Sequence, residues 1–483
     1  WPPVAAAAPG SPLAVRCPGP EPPAGAAPAP QVRPPARREP GPQAERPERL
    51  EWLNRELEEY LRLTSTAAER VADAYRIQAT VSEVLRRLDA GGDAAMFGSF
   101  STGFTTGSSD LDLAFSGSPA PGQAISLLAS FAKALPEHGF VEVTRIFQSN
   151  IPLVKFTDTA SGMEVDFCIS NHLGMRNSML LNAYCQYDER VTKLGRLVKD
   201  WAKKHELVGT ADGCLNSYAY VLLVIHYLQS LQPPVIPNLQ VLAKDSVPVW
   251  DTKWGTEDRW ETKFVEDVSS LPPSKNALSI GELLNGFFDY FCNGFDWQLQ
   301  AVCIRLNRPR VAIDKFSMAV SCSKDQWYVE DPFDLKHNLA GNCTPEGRGR
   351  LLDEMRRART ALGAPAGGGW RRACPSTTPD NYFLKCRISR SVTPGALLRA
   401  FDGFELVRLH FPEPDATGRQ GPAFLEFASA GARRRAHTRN ETYVADCQLL
   451  LRCSSQHSLA EALSQGIFVV HEVAPPAAAT TLQ

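Results

Sequence analysis

Phe97-Gly98-Ser99-Phe100-Ser101-Thr102-Gly103-Phe104-Thr105-Thr106-Gly107-Ser108-Ser109-Asp110-Leu111-Asp112 is the most informative run of this chain. It reads as the end of a strand, a Gly/Ser/Thr-rich turn and the start of a second strand. Asp110 and Asp112 lie two apart, so on a strand they point to the same face. Two carboxylates held together repel and lose hydration unless a cation lies between them. Mg²⁺ suits the position, because it takes oxygen ligands and is usually held by one or two carboxylates plus substrate phosphates. The turn has the complementary chemistry. Gly98, Gly103 and Gly107 allow close backbone approach to a phosphate, while Ser99, Ser101, Thr102, Ser108 and Ser109 offer hydroxyl donors. About fifty residues on, Glu164-Val165-Asp166-Phe167 sits in an apolar strand, with Asp166 facing away from Val165 and Phe167. A third carboxylate there lets the site hold two metal ions. A lone Asp-x-Asp pair is more often a turn or a solvated strand face. Here the Gly-Ser entry, the spacing and Asp166 together favour nucleotidyl transfer.

The rest of the chain is organised around this site. Its 483 residues suggest about three domains. Hydrophobic residues make up 43% and the net charge is −2, which allows buried cores and excludes nucleic-acid binding by bulk positive charge. No apolar run approaches the roughly 20 residues of a membrane span, so no membrane partner is expected. Twelve irregularly spaced cysteines without a CxxC pair argue against zinc and for reduced intracellular thiols. The cytoplasm is the first expectation for location, ahead of mitochondrion or nucleus, and a monomer is the default.

Residues 1–48 are rich in Pro and Ala and read as a disordered tail in preference to a targeting peptide. Residues 49–172 read as the catalytic domain with leading helices, because Leu50, Leu53, Leu57 and Leu61 repeat at helical spacing ahead of the strands. Residues 173–363 read as mainly helical, with Pro233 to Ser274 looping across a surface. Lys199 and Lys203 stand at i and i+4 of a helix, so both project from one face and want an anion between them, unless they form a solvated basic face. Asp331, Asp334 and His337 come at three-residue spacing, which would align them on one face of a helical turn. A linker at 364–379 precedes a β-α-β-β-α-β pattern over 380–456, the ferredoxin-like order. Residues 457–483 read as a tail.

Gly98-Ser99, Ser109-Asp110-Leu111-Asp112 and Val165-Asp166-Phe167 resemble the DNA polymerase β-type nucleotidyltransferase superfamily. Gly174-Met175-Arg176-Asn177-Ser178, Lys199-Asp200-Trp201-Ala202-Lys203-Lys204, Leu215-Asn216-Ser217-Tyr218 and Glu330-Asp331-Pro332-Phe333-Asp334 with His337-Asn338 narrow the resemblance to its terminal uridylyltransferases and non-canonical poly(A) polymerases. The resemblance covers about Leu50 to Leu362. It implies an α+β chain: a polymerase β-type palm with a mixed sheet, a mainly helical poly(A) polymerase-associated domain, and the small ferredoxin-like domain after it. It implies Asp110, Asp112 and Asp166 as metal ligands for two Mg²⁺ or Mn²⁺ ions. For the nucleotide it implies Gly98, Ser99, Ser109, Lys199, Lys203 and Ser217 on the phosphates, Asn177 at the ribose, Ser178 as a further nucleotide contact, and Tyr218 stacked on the base. Asp331, Asp334 and His337 would read the base. Asp334 stands where Glu is commoner, and His337 favours UTP over ATP as donor to an RNA 3′ end. The alternatives are a poly(A)-adding enzyme and an inactive RNA-binding scaffold.

Residues 380–456 resemble an RNA recognition motif in strand order and length. Gln420 to Phe427 matches its RNP1 strand, with Pro422 where a stacking aromatic is expected. Phe424 and Arg387 are the RNA-contact candidates there, and a protein-docking role for this sheet competes with RNA binding.

Overall fold

The computed structural model describes residues 47–473 apart from short internal stretches, the longest being 375–381 and 437–442. The tail expected at 1–48 lies outside the described residues except at its end, where helix α1 (Pro47–Leu63) begins.

After α2 (Ala68–Arg87) comes the palm: β1 (Ala94–Phe97), α3 (Ser99–Thr102), β2 (Leu111–Phe115), α4 (Ala124–Ala134), β3 (Phe140–Ile146), β4 (Leu153–Asp158) and β5 (Glu164–Cys168). These strands form one mixed sheet in the order β1-β2-β5-β4-β3, in which β2 and β5 run parallel. Period-2 alternation sorts its two faces. Leu111, Leu113, Phe115, Val154, Phe156, Val165 and Phe167 turn to one side, where Ala74, Ile77 and Val81 of α2 and Leu128 and Phe131 of α4 complete a core. The ring of Phe131 lies 4.3 Å from that of Phe167. The interleaved residues Asp112, Lys155 and Asp166 are left on the opposite face.

The helical part comprises α5 (His172–Tyr187), α6 (Glu189–Lys204), α7 (Ser217–Ser230), α8 (Leu239–Leu242), a hairpin of β6 (Val247–Lys253) and β7 (Thr256–Thr262), α9 (Ile280–Asp289), α10 (Pro345–Gly363) and α11 (Trp370–Ala373). Helix α7 is buried continuously from Ala219 to Gln229, as expected of a helix apolar all round. The leading helix packs against the helical core, not the core of the palm sheet. Leu53, Leu57 and Leu61 of α1 pack into the helical core with Leu194, Leu197 and Trp201 of α6. Glu56 of α1 accepts the backbone N–H groups of Trp370 (2.8 Å) and Arg371 (3.0 Å), tying α11 to it. The 233–274 segment is not only loop. Its hairpin docks on α5, where Asp251 accepts the N–H groups of His172 (2.8 Å) and Leu173 (3.1 Å) and so satisfies the first turn of that helix.

The C-terminal part contains β8 (Tyr382–Arg387), α12 (Pro394–Ala400), β9 (Leu406–Pro412), β10 (Ala423–Phe427), β11 (Tyr443–Val444), β12 (Cys447–Gln448), β13 (Leu450–Ser454) and β14 (Phe468–Glu472). Its main sheet has the order β13-β8-β10-β9-β14. Helical residues Leu397, Ala432 and Ala436 pack on one face over Leu384, Leu409 and Leu425. Two expectations change here. The segment expected to be a tail contributes β14, a fifth strand beside β9. Phe424 is not available to stack a base: it is fully buried, packed with Phe383, Leu459, Ala462 and Phe468. Chain beyond β13 covers the face that a sheet of this type would offer. Arg387 is exposed at the end of β8. Phe424→Leu is therefore expected to cost this part about 1 kcal/mol of stability, seen as a lower melting temperature, without weakening RNA binding. Calorimetry and filter binding on the full chain check this, and a base-stacking role would give the reverse pattern.

Candidate active site

The turn between β1 and β2 is a fixed structure. Phe97 at the end of β1 pairs with Asp112, so the next residue passes directly over that carboxylate. Gly98 has φ of 67°, and a Cβ there would collide with Oδ2 of Asp112. Its N–H donates to Ser178 Oγ (2.9 Å), and that hydroxyl in turn donates to the Gly174 carbonyl (3.0 Å). Phe104 is buried against Gly195 of α6, where any larger side chain would strike its ring. Lys199 Nζ donates to the Phe104 carbonyl (3.0 Å). Ser109 Oγ accepts the Thr106 N–H (2.9 Å), and Arg70 of α2 donates to the Ser109 carbonyl (2.8 Å), immediately before Asp110. Ser178 and Ser109, expected as nucleotide contacts, thus hold the turn in shape. Ser99 opens α3 just after Gly98.

This turn delivers Asp110, exposed, and then Asp112 at the start of β2. Asp112 and Asp166 are register partners across the parallel β2–β5 pair, so their side chains stand side by side on one face. Lys155 is the register partner of Asp166 across β4–β5, and its ammonium forms an ion pair with Asp166 Oδ2. Burial pushes the Asp112 carboxyl up to about 7, with the charges of Asp166 and Asp110 adding to it and Lys199 and Lys155 opposing. Burial also raises Asp166, against the pull of Lys155. Such a set of anionic oxygens calls for a hard divalent cation, and this is the chemistry that Mg²⁺ or Mn²⁺ fits. Among the described residues no closed cage of three His, Cys, Asp or Glu ligands is formed. In its place Asp166 is satisfied by Lys155.

A group of polar residues adjoins the turn that carries the carboxylates. Lys199 is buried and its ammonium pKa is pushed down to about 8, by burial first and then by Lys203. Lys203 follows one helical turn later. Asn177 on α5 is buried; its Nδ2 donates to Asp331 Oδ2 (3.2 Å), and its Oδ1 has no hydrogen-bond partner. That leaves an acceptor aimed at a missing donor. Ser217 and Tyr218 open α7 behind the Asn216 cap, whose side chain accepts the Ala219 N–H (2.8 Å). The Tyr218 hydroxyl is buried without a hydrogen-bond partner among the described residues, and its pKa is raised by burial first and then by the charge of Asp331. The expected helical turn at 331–337 is absent. Asp331 Oδ1 accepts the N–H groups of Phe333 (2.9 Å) and Asp334 (2.9 Å), and the His337 N–H donates to the Asp334 carbonyl (2.9 Å). This is an Asx turn followed by a reverse turn, favoured because the Asp side chain replaces a helical acceptor. Asp331 is buried, Asp334 half-buried and His337 exposed.

Residues 53–186 match the family described as poly(A) RNA polymerase, mitochondrial-like, central palm domain, and residues 279–337 match Cid1 family poly A polymerase. Terminal uridylyltransferase cid1 of Schizosaccharomyces pombe is 30% identical over 302 residues, covering 59% of this chain and 72% of that protein. The chain belongs to the Cid1 family. Human terminal uridylyltransferase 7 is 30% identical over 308 residues, 60% of this chain, of which the chain spans 20%. Rat poly(A) RNA polymerase GLD2 is 34% identical over 201 residues, covering 41% of this chain and 38% of that protein. A structure of Cid1 poly(U) polymerase with Mg and 3′-dATP superposes with a TM-score of 0.58 at 27% identity, covering 65% of this chain and 95% of that one. A cytoplasmic RNA terminal U-transferase gives 0.58 at 25%, covering 67% and 97%. The Cid1 family thus unites RNA nucleotidyltransferases of both donor types. No described helix is long and apolar enough to cross a membrane.

Three residues of this Cid1-family site escape sequence reading. Lys155 alternates with Val154 and Phe156, but its place beside Asp166 follows from a strand order that the sequence does not print. Arg70 carries no motif. Gly195 sits in an ordinary helical pattern, and only its contact with Phe104 gives it a role.

Proposed function

We propose that the chain is a template-independent RNA 3′-terminal uridylyltransferase, adding UMP from UTP to an RNA 3′-hydroxyl with release of pyrophosphate. The observation that carries this is the parallel register of Asp112 with Asp166, with Asp110 two residues before, together with the buried Asn177–Asp331 pair. Asp110, Asp112 and Asp166 would hold the two divalent ions, whose charge acidifies the attacking hydroxyl and steadies the leaving pyrophosphate. Lys199 and Lys203 balance the distal phosphate charge. The backbone at Gly98 and Ser99 lines the phosphates, and Ser217 offers a hydroxyl from the start of α7. Asn177 Oδ1 accepts a ribose hydroxyl, which separates ribonucleotides from deoxyribonucleotides. Tyr218 stacks on the base without selecting it.

Selection falls to Asp331, Asp334 and the exposed His337. A purine is crowded by an imidazole there, while a pyrimidine carbonyl can accept its N–H. Among Cid1 structures solved for UTP selectivity is a histidine-to-asparagine variant with MgATP. The donor is tested by incubating the protein with a short RNA and each NTP in turn. Addition of U is expected. Preferential addition of A would move the chain to the poly(A)-adding branch, and no addition would leave an RNA-binding scaffold. His337→Ala is expected to cut the ratio of kcat/KM for UTP over ATP by about 10- to 100-fold, the scale of losing one discriminating contact. An unchanged ratio would remove His337 from base reading.

A further inference from the structure

We propose that Lys155 is a resident counter-cation for the third carboxylate, holding Asp166 while no metal is bound and yielding it when a divalent ion is taken up. The inference rests on the carboxylate site described above. Two ammonium groups face this cluster, and they are built differently. Lys199 is 7% exposed and anchored to the Phe104 carbonyl, so it cannot move without breaking the turn. The Lys155 side chain is 47% exposed and ends on Asp166, itself 26% exposed. A half-exposed lysine pair of this kind is weak and held by a flexible stem. It can balance the charge of Asp166 that burial and the neighbouring Asp110 disfavour, and a doubly charged ion can displace it at little cost. Register makes the arrangement inherent to the sheet: position 155 stands directly opposite position 166. A released Lys155 would stay at the mouth of the same site, free to meet the phosphate of an arriving RNA end.

The consequence is competition between Lys155 and the metal for one carboxylate, and the two substitutions of Lys155 should move it in opposite directions. Lys155→Met removes the competitor and is expected to tighten Mn²⁺ binding about 1.5- to fivefold, the scale of one exposed ion pair. Lys155→Arg offers a planar two-pronged partner that grips a carboxylate harder; it is expected to weaken Mn²⁺ binding by a similar factor. Both are read by the electron paramagnetic resonance signal of free Mn²⁺ during titration of the full chain, without nucleotide or RNA. Position 155 is half-exposed on a strand, and a thermal melt confirms that both variants are folded. Equal or weaker Mn²⁺ binding by Lys155→Met would overturn the proposal, and so would tighter binding by Lys155→Arg. Asp112→Asn separates this from the underlying reading. If that variant binds Mn²⁺ as the unaltered chain does, the carboxylate site itself is wrong; if it loses binding while Lys155→Met shows no gain, only the counter-cation role fails.

Discussion

Asp112→Asn stops nucleotide addition, with an expected loss of at least about 10³-fold in kcat, or about 4 kcal/mol of transition-state stabilisation. The residue joins the two halves of the site. It pairs with Phe97 at the entry to the turn and with Asp166 on the neighbouring parallel strand, so its carboxylate lies between Gly98 and Asp166. An amide fills the same space but cannot supply the charge that a shared divalent ion needs. RNA binding should survive, because the substitution leaves the surface nearly unchanged. Stability should move the other way. In the metal-free protein Asp112 titrates near 7, above its unfolded value of 3.8, because burial and two neighbouring carboxylates disfavour its charge. A folded-state pKa above the unfolded one means that ionisation costs stability as pH rises from about 4 to 7, and the full cost is present at pH 8. The neutral amide escapes it. At pH 8 without metal, Asp112→Asn is expected to melt a few degrees higher, about 2–4 °C for each kcal/mol recovered in a domain of 150–250 residues. With saturating Mg²⁺ that advantage should shrink, since only the unaltered chain gains a ligand. Extension activity in the variant would remove the site assignment. A lower metal-free melting point would remove the electrostatic account while leaving the site intact. Functional sites commonly carry such strain, exchanging stability for chemistry.

What could be read from sequence follows from the range of the interactions involved. Leu111-Asp112-Leu113 and Val165-Asp166-Phe167 carry their own alternation, so the face of each aspartate was legible before any strand was paired. The turn was legible as glycine-rich, but not as a structure in which Ser109 and Ser178 are spent on backbone groups; that depends on α5 arriving over Gly98. The three-residue spacing of Asp331, Asp334 and His337 suits a helix as well as successive turns. The Asp331 side chain breaks the tie by accepting two N–H groups. Longer-range features were not legible at all. The leucines of α1 have a clear period, but the period does not name the core they enter, and they enter the helical one. Phe424 lies in a recognisable strand, yet its burial is caused by chain more than thirty residues later. Lys155 meets Asp166 only because β4 was inserted next to β5 in the sheet.

Gly98→Ala is the sharpest test of the turn, because it adds one carbon and no charge. Gly98 combines a φ of 67° with a ψ of −145°, a region that side chains avoid at a cost of about 1–3 kcal/mol. The added methyl would also meet Oδ2 of Asp112. The chain must then either rotate Gly98, losing its N–H bond to Ser178, or push the Asp112 carboxylate out of line with Asp166. Either response displaces a reacting group by a fraction of its own width, and a misplacement of about 1 Å can cost about 10²-fold in rate. A loss of about 10²- to 10³-fold in single-turnover extension is expected, with weaker Mn²⁺ binding and a melting point lowered only modestly. Gly107→Ala serves as the comparison within the same turn. Gly107 has no atom within 4 Å of where its Cβ would lie, so its substitution should leave rate and metal affinity within about twofold. If the two variants behave alike, the turn acts as a generic flexible loop. If only Gly98→Ala fails, its part is to hold one carboxylate in place.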